Sequence, residues 1–175
     1  MLSAGLVSRA SDITYNIDQT IGTAHAVGTV TTDGTIGTLA GGNIVGFSLT
    51  VSDSSTSDMI SSPTSDAVLI GNDLTATSTG LFFNFGDSAS AGFGLTDPVQ
   101  QNGICFVTQT GLCISNGVSI RIGVDGTYYT SSTISDVEQI ASVSTPTATP
   151  EPSSIALLGT AVLSSFGLIR KRRLA

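Results

Sequence analysis

One repeated pattern constrains the fold of this chain most strongly. From Asp12 to about Val143, short runs rich in Val, Ile, Thr and Phe alternate with Gly, Asn and Asp. The run IVGFSLTVS places an apolar residue at every second position from Val45 to Val51. A period of two with one apolar face is typical of a half-buried antiparallel strand. The pattern therefore predicts β structure with many turns.

The other runs extend this prediction to a fold class. Strands are expected at AVLIG, LTATST, LFFNFG, GICFV, LCIS, SIRIGV, TYYTS and EQIASVS. Asp33-Gly34, between AHAVGTVTT and TIGTL, predicts a hairpin. SDSSTSDMISSPTSD is predicted to be a polar surface loop. About ten short strands favour an all-β, antiparallel two-layer sandwich or jelly-roll-like domain over residues 11–143.

Charge excludes one class of partner. Before Thr149 the chain carries only Arg9 and Arg121 as cations against twelve acidic residues, a balance of −10. An acidic body repels phosphate backbones, so nucleic acid is not an expected partner.

Two cysteines bracket the stretch CFVTQTGLC. If Ile104–Val107 and Leu112–Ser115 form a hairpin, Cys105 and Cys113 face each other within the reach of a disulfide. A bridge is favoured if the protein is exported, and a pair of buried thiols is the alternative. Zinc is not expected, because the single histidine cannot complete a ligand set.

The C-terminus combines three elements. Pro150, Glu151 and Pro152 precede an apolar run, and a basic cluster follows it. Residues 153–169 rise only about 25 Å as a helix, against a hydrocarbon layer of roughly 30 Å, so they form a marginal anchor. The apolar side chains of that helix are Ile155, Leu157, Leu158, Val162, Leu163, Phe166, Leu168 and Ile169, and the basic cluster is Arg170, Lys171, Arg172 and Arg173. Such a cluster stays on the cytoplasmic side, which leaves the body outside.

These three ordered elements resemble the PEP-CTERM sorting signal of exported bacterial proteins. Threonine at position 149 replaces the small apolar residue often found there. The resemblance implies an inner-membrane precursor that a membrane-embedded exosortase recognises and cleaves, in bacteria that secrete extracellular polysaccharide. The segments TTDGTIGTLAGGNIVGFSLTV, LTATSTGLFFNFG and QIASVS also resemble a small β domain found among such proteins, which implies no activity.

The resemblance organises the chain into segments. Residues 144–152 form a Pro/Thr-rich linker ending in Pro-Glu-Pro, residues 153–169 a single transmembrane helix, and residues 170–175 a basic cytoplasmic tail. Residues 1–10 lack a basic region and an apolar stretch, yet Ser8-Arg9-Ala10 fits the small-x-small pattern before signal cleavage. We expect either a remnant of a signal peptide whose start is misassigned or a disordered lead.

Candidate chemistry in the body is sparse. His25 is the only histidine and no nucleophile elbow accompanies it, so a plain strand or surface histidine is expected. Asp136 and Glu138 are expected on one strand face, more as solvated acids than as a glycosidase pair. Candidate calcium ligands are scattered without EF-hand spacing, at Asp33, Asp53, Asp58, Asp66 and Asp73, which leaves a loop calcium site as a minor alternative.

The aromatic residues favour packing over ligand stacking. Tyr128-Tyr129 and Phe82-Phe83-Phe85 are candidates for a sugar-stacking platform, but the chain has no Trp and Phe83 and Phe85 alternate, so core packing is the expected role of these aromatic residues. The sequence thus predicts an exported, non-enzymatic surface or matrix protein without catalytic residues, cofactor or metal, with exopolysaccharide as a candidate partner. The alternatives are an extracellular glycan hydrolase and an uncleaved, membrane-tethered β domain.

Overall fold

A computed structural model describes residues 11–86, 90–108, 112–114, 117–132, 134 and 136–144. Within these ranges the chain is all-β and contains thirteen strands. The strands are β1 (Ile13–Ile21), β2 (Ala24–Thr32), β3 (Gly37–Thr38), β4 (Ile44–Ser52), β5 (Ser57–Ser61), β6 (Asp66–Ile70), β7 (Leu74–Ala76), β8 (Gly80–Asn84), β9 (Gly92–Thr96), β10 (Gly103–Val107), β11 (Ser119–Val124), β12 (Thr127–Ser131) and β13 (Val137–Val143).

The strands form two antiparallel sheets. The large sheet has the order β3-β7-β8-β13-β1-β2-β4-β5, and the small sheet has the order β12-β11-β10-β9-β6. Strands β2 and β4 of the large sheet pack against β10 and β11 of the small sheet. The prediction of a two-layer antiparallel sandwich is therefore confirmed for the described residues.

Aromatic side chains from both sheets meet in the core. Phe83 on β8 lies 6.4 Å from Phe106 on β10, measured between ring centroids. Phe93 on β9 stacks on Phe106 at 6.1 Å, and Phe83 meets Phe85 edge to face at 4.8 Å. All four rings are buried, so the predicted core positions of Phe83 and Phe85 are confirmed.

Strand β4 confirms the predicted alternation with one irregularity. Phe47, Leu49 and Val51 are buried between the sheets. Val45 is 51% exposed, because the pairing of β2 with β4 shifts between Thr31 and Thr32. That shift makes Val45 the extra residue of a β-bulge, which changes the side on which it points.

The predicted hairpin at Asp33-Gly34 is wrong. Strand β2 pairs with β4, and the short strand β3 crosses to pair with β7. Asp33 instead closes the long β2–β4 connection: its Oδ1 accepts the backbone N–H of Thr35 at 3.0 Å, and its Oδ2 accepts Nδ2 of Asn43 at 3.0 Å. The aspartate thus forms an Asx turn rather than a two-residue hairpin.

Two further local predictions are wrong. The stretch predicted to be a polar loop contains β5, which pairs with β4 along five residues and buries Ile60. The stretch LCIS is no strand, since Leu112–Ile114 form a short 3₁₀ segment in which Cys113 has a φ of +50°. Strands β1 and β9 are additions to the predicted set.

The predicted cysteine pair is confirmed, and its predicted setting is wrong. Cys105 and Cys113 lie at disulfide distance with Cα atoms 6.4 Å apart, inside the usual range. Cys105 belongs to β10, whose neighbours are β9 and β11, so no hairpin joins the two cysteines. The bond instead holds the 3₁₀ segment Leu112–Ile114 against the outer side of the small sheet.

Candidate functional site

The most distinctive surface is the outer face of the large sheet, defined here as the outward side chains of β1, β2, β4 and β5. Cross-strand pairing aligns these side chains in rows that run across the strands. Neighbouring strands are about 4.8 Å apart, which sets the spacing of the side chains within a row. The first row is Thr20, His25, Ser52 and Ser57; the second is Asp18, Val27, Thr50 and Met59; the third is Asn16, Thr29, Ser48 and Ser61. Two polar rows thus flank a row that includes two exposed apolar side chains.

Several polar side chains of the outer face, inside and outside these rows, bond to one another. Oγ1 of Thr14 lies 3.1 Å from Oγ1 of Thr31, and Oγ1 of Thr20 lies 3.0 Å from Nδ1 of His25. His25 is exposed on β2, which fits the predicted strand or surface histidine. The outer face therefore presents mainly hydroxyl groups, together with the amide of Asn16 and few charges.

A shallow cleft of about 170 Å³ opens at one edge of this face, between β1 and β13. These strands pair only at Tyr15–Val143 and Asn16–Ser142, and the pairing of β13 with β8 shifts between Gln139 and Ala141. We call this opening the seam cleft. Its lining comprises Asn16, Asp18, Gln19, Gln139, Ile140, Ala141 and Ser142.

Two glutamines form part of the wall of the seam cleft. Gln19 lies at a core-facing position of β1, and its Nε2 donates to the carbonyl of Ile140 at 3.3 Å. Gln139 donates from Nε2 to the carbonyls of Thr79 and Ala141, both at 3.3 Å. Side-chain amides thus bond to the backbone where the strand ladder is interrupted.

A second cleft, of about 210 Å³, lies at one end of the sandwich. Asp58 of β5 and Asp125 of the β11–β12 turn line it together with Asn102. The amide Oδ1 of Asn102 accepts the backbone N–H of Asp125 at 2.7 Å, which ties two loops of the small sheet together. This end cleft thus brings carboxyl groups from both sheets to one opening.

A hydrogen bond joins the two sheets beside this end of the sandwich. The hydroxyl of Tyr129 on β12 donates to Oδ2 of Asp53 at 2.8 Å. Backbone N–H groups of Ser55 and Thr56, and then Tyr129, hold the pKa of Asp53 below its usual value. The same bond to Asp53 raises the pKa of Tyr129. Tyr128 bonds instead to the carbonyl of Gln100, so both tyrosine hydroxyls have protein partners.

The other predicted candidates do not converge. Asp136 and Glu138 do not share a strand face, because Asp136 precedes β13 and has a φ of +61°. The five candidate calcium ligands are distributed over the β2–β4 connection, the β4–β5 hairpin, the start of β6 and the turn before β7. No three His, Cys, Asp or Glu side chains in the described ranges lie close enough together to hold a metal ion.

The predicted sorting residues, from Pro150 to Arg173, lie outside the described residues, as do residues 1–10. Within the part of the chain that the structure covers, no helix has the length and hydropathy to cross a membrane. Comparison of the chain with protein-family models, curated proteins and solved structures found no match.

Proposed function

We propose that this chain is an exported, non-enzymatic protein of the cell surface or extracellular matrix, and that the outer face contacts exopolysaccharide. The observation that carries the proposal is the row structure of that face. Hydroxyl and amide side chains of the first and third rows match the hydroxyl groups of a glycan as donors and acceptors. Val27 and Met59, 49% and 70% exposed, offer apolar surface to the C–H groups of sugar rings.

Delivery of the β domain to the cell surface depends on the C-terminal segment. In this proposal the PEP-CTERM-like tail holds the precursor in the inner membrane through its helix, with the β domain outside the cytoplasm and the Pro/Thr linker between them. Exosortase then cleaves the tail and releases the domain to the surface. The disulfide-distance cysteine pair of the β domain is compatible with an extracytoplasmic location.

A binding experiment tests the molecular part of the proposal. The full-length chain in mild detergent is incubated with immobilised exopolysaccharide from the producing cells. We expect retention well above that of an unrelated acidic protein of similar size. Retention equal to that of the acidic protein would remove the glycan-contact proposal.

Processing has its own test. Mass spectrometry of the C-terminus in surface material distinguishes sorting from permanent tethering. Loss of the residues after Pro-Glu-Pro is expected. A peptide ending in RRLA from surface material would instead support an uncleaved, membrane-tethered domain.

The end cleft favours one alternative, an extracellular glycan hydrolase. Two carboxyl groups across a cleft are what acid and base or nucleophile chemistry at a glycosidic bond requires. In that case Asp58→Asn and Asp125→Asn would each abolish release of reducing ends from the exopolysaccharide. Under the non-enzymatic proposal, the wild-type chain releases none.

A further inference from the structure

We infer that the seam cleft binds one uncharged sugar unit of an extracellular polysaccharide. The inference rests on the proposed function and adds the position of the contact and the class of the glycan. It is carried by the polar lining of the cleft, by the interactions that fix that lining, and by the acidity of the protein.

The lining matches the chemistry of a sugar ring. Asn16 can donate from Nδ2 and Gln139 can accept at Oε1, since Nε2 of Gln139 and Oδ1 of Asn16 already bond to the protein, and Asp18 presents a carboxylate with two acceptor oxygens. No described residue pairs with the Asp18 carboxylate in the structure. Neighbouring hydroxyl groups of a sugar can therefore donate to Asp18, and a hydrogen bond to a charged acceptor is stronger than one between neutral groups.

The groups that line the cleft are held in place before a ligand arrives. A Cβ at position 80 would overlap Nε2 of Gln139, so the absence of a side chain at Gly80 lets Gln139 fold back over the sheet. Gln19 spans the interrupted ladder to the carbonyl of Ile140, and Oδ1 of Asn16 accepts from the hydroxyl of Ser144 at 2.8 Å. A site fixed by its own hydrogen bonds loses little conformational freedom on binding.

The volume of the cleft and the charge of its lining restrict the class of ligand that it binds. Pockets for drug-sized molecules span about 300–1,000 Å³, so a cleft of about 170 Å³ accommodates a smaller unit such as one sugar ring. Arg121 is the only Lys or Arg among the described residues, and it lies on β11 of the other sheet. A uronate or sulfated sugar would meet the Asp18 carboxylate without a compensating cation, so an uncharged glycan is favoured.

The position of the cleft also predicts the path of a bound glycan across the large sheet. Ser142 and Asn16 line the cleft, and Asn16 begins the third row of the outer face. A glycan with one unit in the cleft can continue across Thr29 and Ser48 toward the far edge of the sheet. The cleft thus fixes one end of the contact, and the row supports the rest.

Isothermal titration calorimetry tests the inference on the full-length chain in detergent. The probes are the uncharged and the uronate-containing fractions of the exopolysaccharide. We expect binding to the uncharged fraction, a loss of about tenfold in affinity for Asp18→Ala and a loss of severalfold for Asn16→Ala. The matched control is Asp66→Ala, which removes the same charge from an exposed position at the start of β6 and should stay within about twofold of wild type.

The outcomes separate the inference from the function on which it rests. If wild type binds the uncharged fraction and Asp18→Ala binds equally well, the seam cleft is not the site, although the proposed function stands. Stronger binding to the uronate-containing fraction would overturn the assigned glycan class. If wild type binds neither fraction, the proposed function fails and the inference fails with it. Circular dichroism and thermal unfolding of each variant confirm that the fold is retained.

Discussion

The outer sides of the two sheets differ sharply. The large sheet presents exposed Ser, Thr and Asn side chains between few apolar ones. The small sheet is covered at the centre of its outer side, where Cys105 and Val107 of β10 form a buried cluster with Leu112 and Cys113 of the 3₁₀ segment and Arg121 of β11 donates to the carbonyl of Cys113. One sheet is therefore available to a ligand, while the other is occupied by a segment of its own chain.

This difference explains the burial of the central strands of the small sheet. All five residues of β9 and all five of β10 are buried, because one side faces the core and the other faces the 3₁₀ segment. Gly94 on β9 makes room for that segment: a Cβ there would lie 3.0 Å from Leu112 and 3.1 Å from the sulfur of Cys105. The covering segment thus adds a second, smaller core that stabilises the small sheet.

The largest expected difference in unfolding free energy comes from making the same Val→Ser substitution on the outer side of each sheet. Val107→Ser should lower the free energy of unfolding by about 3 kcal/mol, because Val107 is fully buried and the hydroxyl would replace apolar contacts. Val27→Ser on the exposed outer face should change it by no more than about 0.5 kcal/mol. Urea unfolding measures both. Equal effects would show that the small sheet is not covered in solution.

Removing the cysteine pair tests whether the disulfide holds the 3₁₀ segment against the small sheet. The bond closes a loop with a sequence separation of eight, so Cys105→Ala/Cys113→Ala should cost about 2–3 kcal/mol of unfolding free energy. Treatment of wild type with a reducing agent should have a similar effect and leave the double variant unchanged. Glycan binding should survive reduction, because the bond lies on the sheet opposite the outer face. Loss of binding on reduction would contradict this separation.

The fold was predictable where one side of a strand faces the core. Strand β4 shows the alternation clearly because its other side is solvated. Strand β9 does not, since a strand buried on both sides has no polar side and its sequence GFGLT contains two glycines that resemble turn residues. Strand β5 was missed for the opposite reason: it buries only Ile60, so its sequence is as polar as that of a loop.

The candidate site was less predictable. The sequence predicted exopolysaccharide as a candidate partner but no location for the contact, because the seam cleft depends on where β1 and β13 separate. These strands are over 100 residues apart in sequence, so no local pattern encodes their register. One signal was available: Gln19 is a polar residue at a position of β1 whose neighbours Tyr15 and Ile17 face the core. Such a residue requires a hydrogen-bond partner, which is here the carbonyl of Ile140.

The bond between Tyr129 and Asp53 links the two sheets and gives a smaller, pH-dependent effect. Because the pKa of Asp53 is lowered in the folded state, its contribution to stability is present above the ordinary value of 3.8 and is lost as the pH falls through the folded pKa. Tyr129→Phe should therefore destabilise the protein at pH 7 and have less effect at pH 2. The thermal midpoints of the variant and of wild type, measured from pH 7 to pH 2, test this prediction. A difference between the two midpoints that stays the same at every pH would contradict it.

The smallest expected effect concerns the hydroxyl pair Thr14–Thr31 on the outward side of β1 and β2. Exposed cross-strand pairs contribute only about 0.2–1 kcal/mol, and replacing both partners with apolar residues of the same shape is nearly neutral. Thr14→Val/Thr31→Val should therefore change the free energy of unfolding by less than about 0.5 kcal/mol, and a double-mutant cycle in urea isolates the coupling. A coupling well above 1 kcal/mol would mean that this hydroxyl pair helps to hold β1 and β2 together. A small coupling would mean that the sandwich folds without these hydroxyl groups, so that their arrangement is available for contact with a glycan.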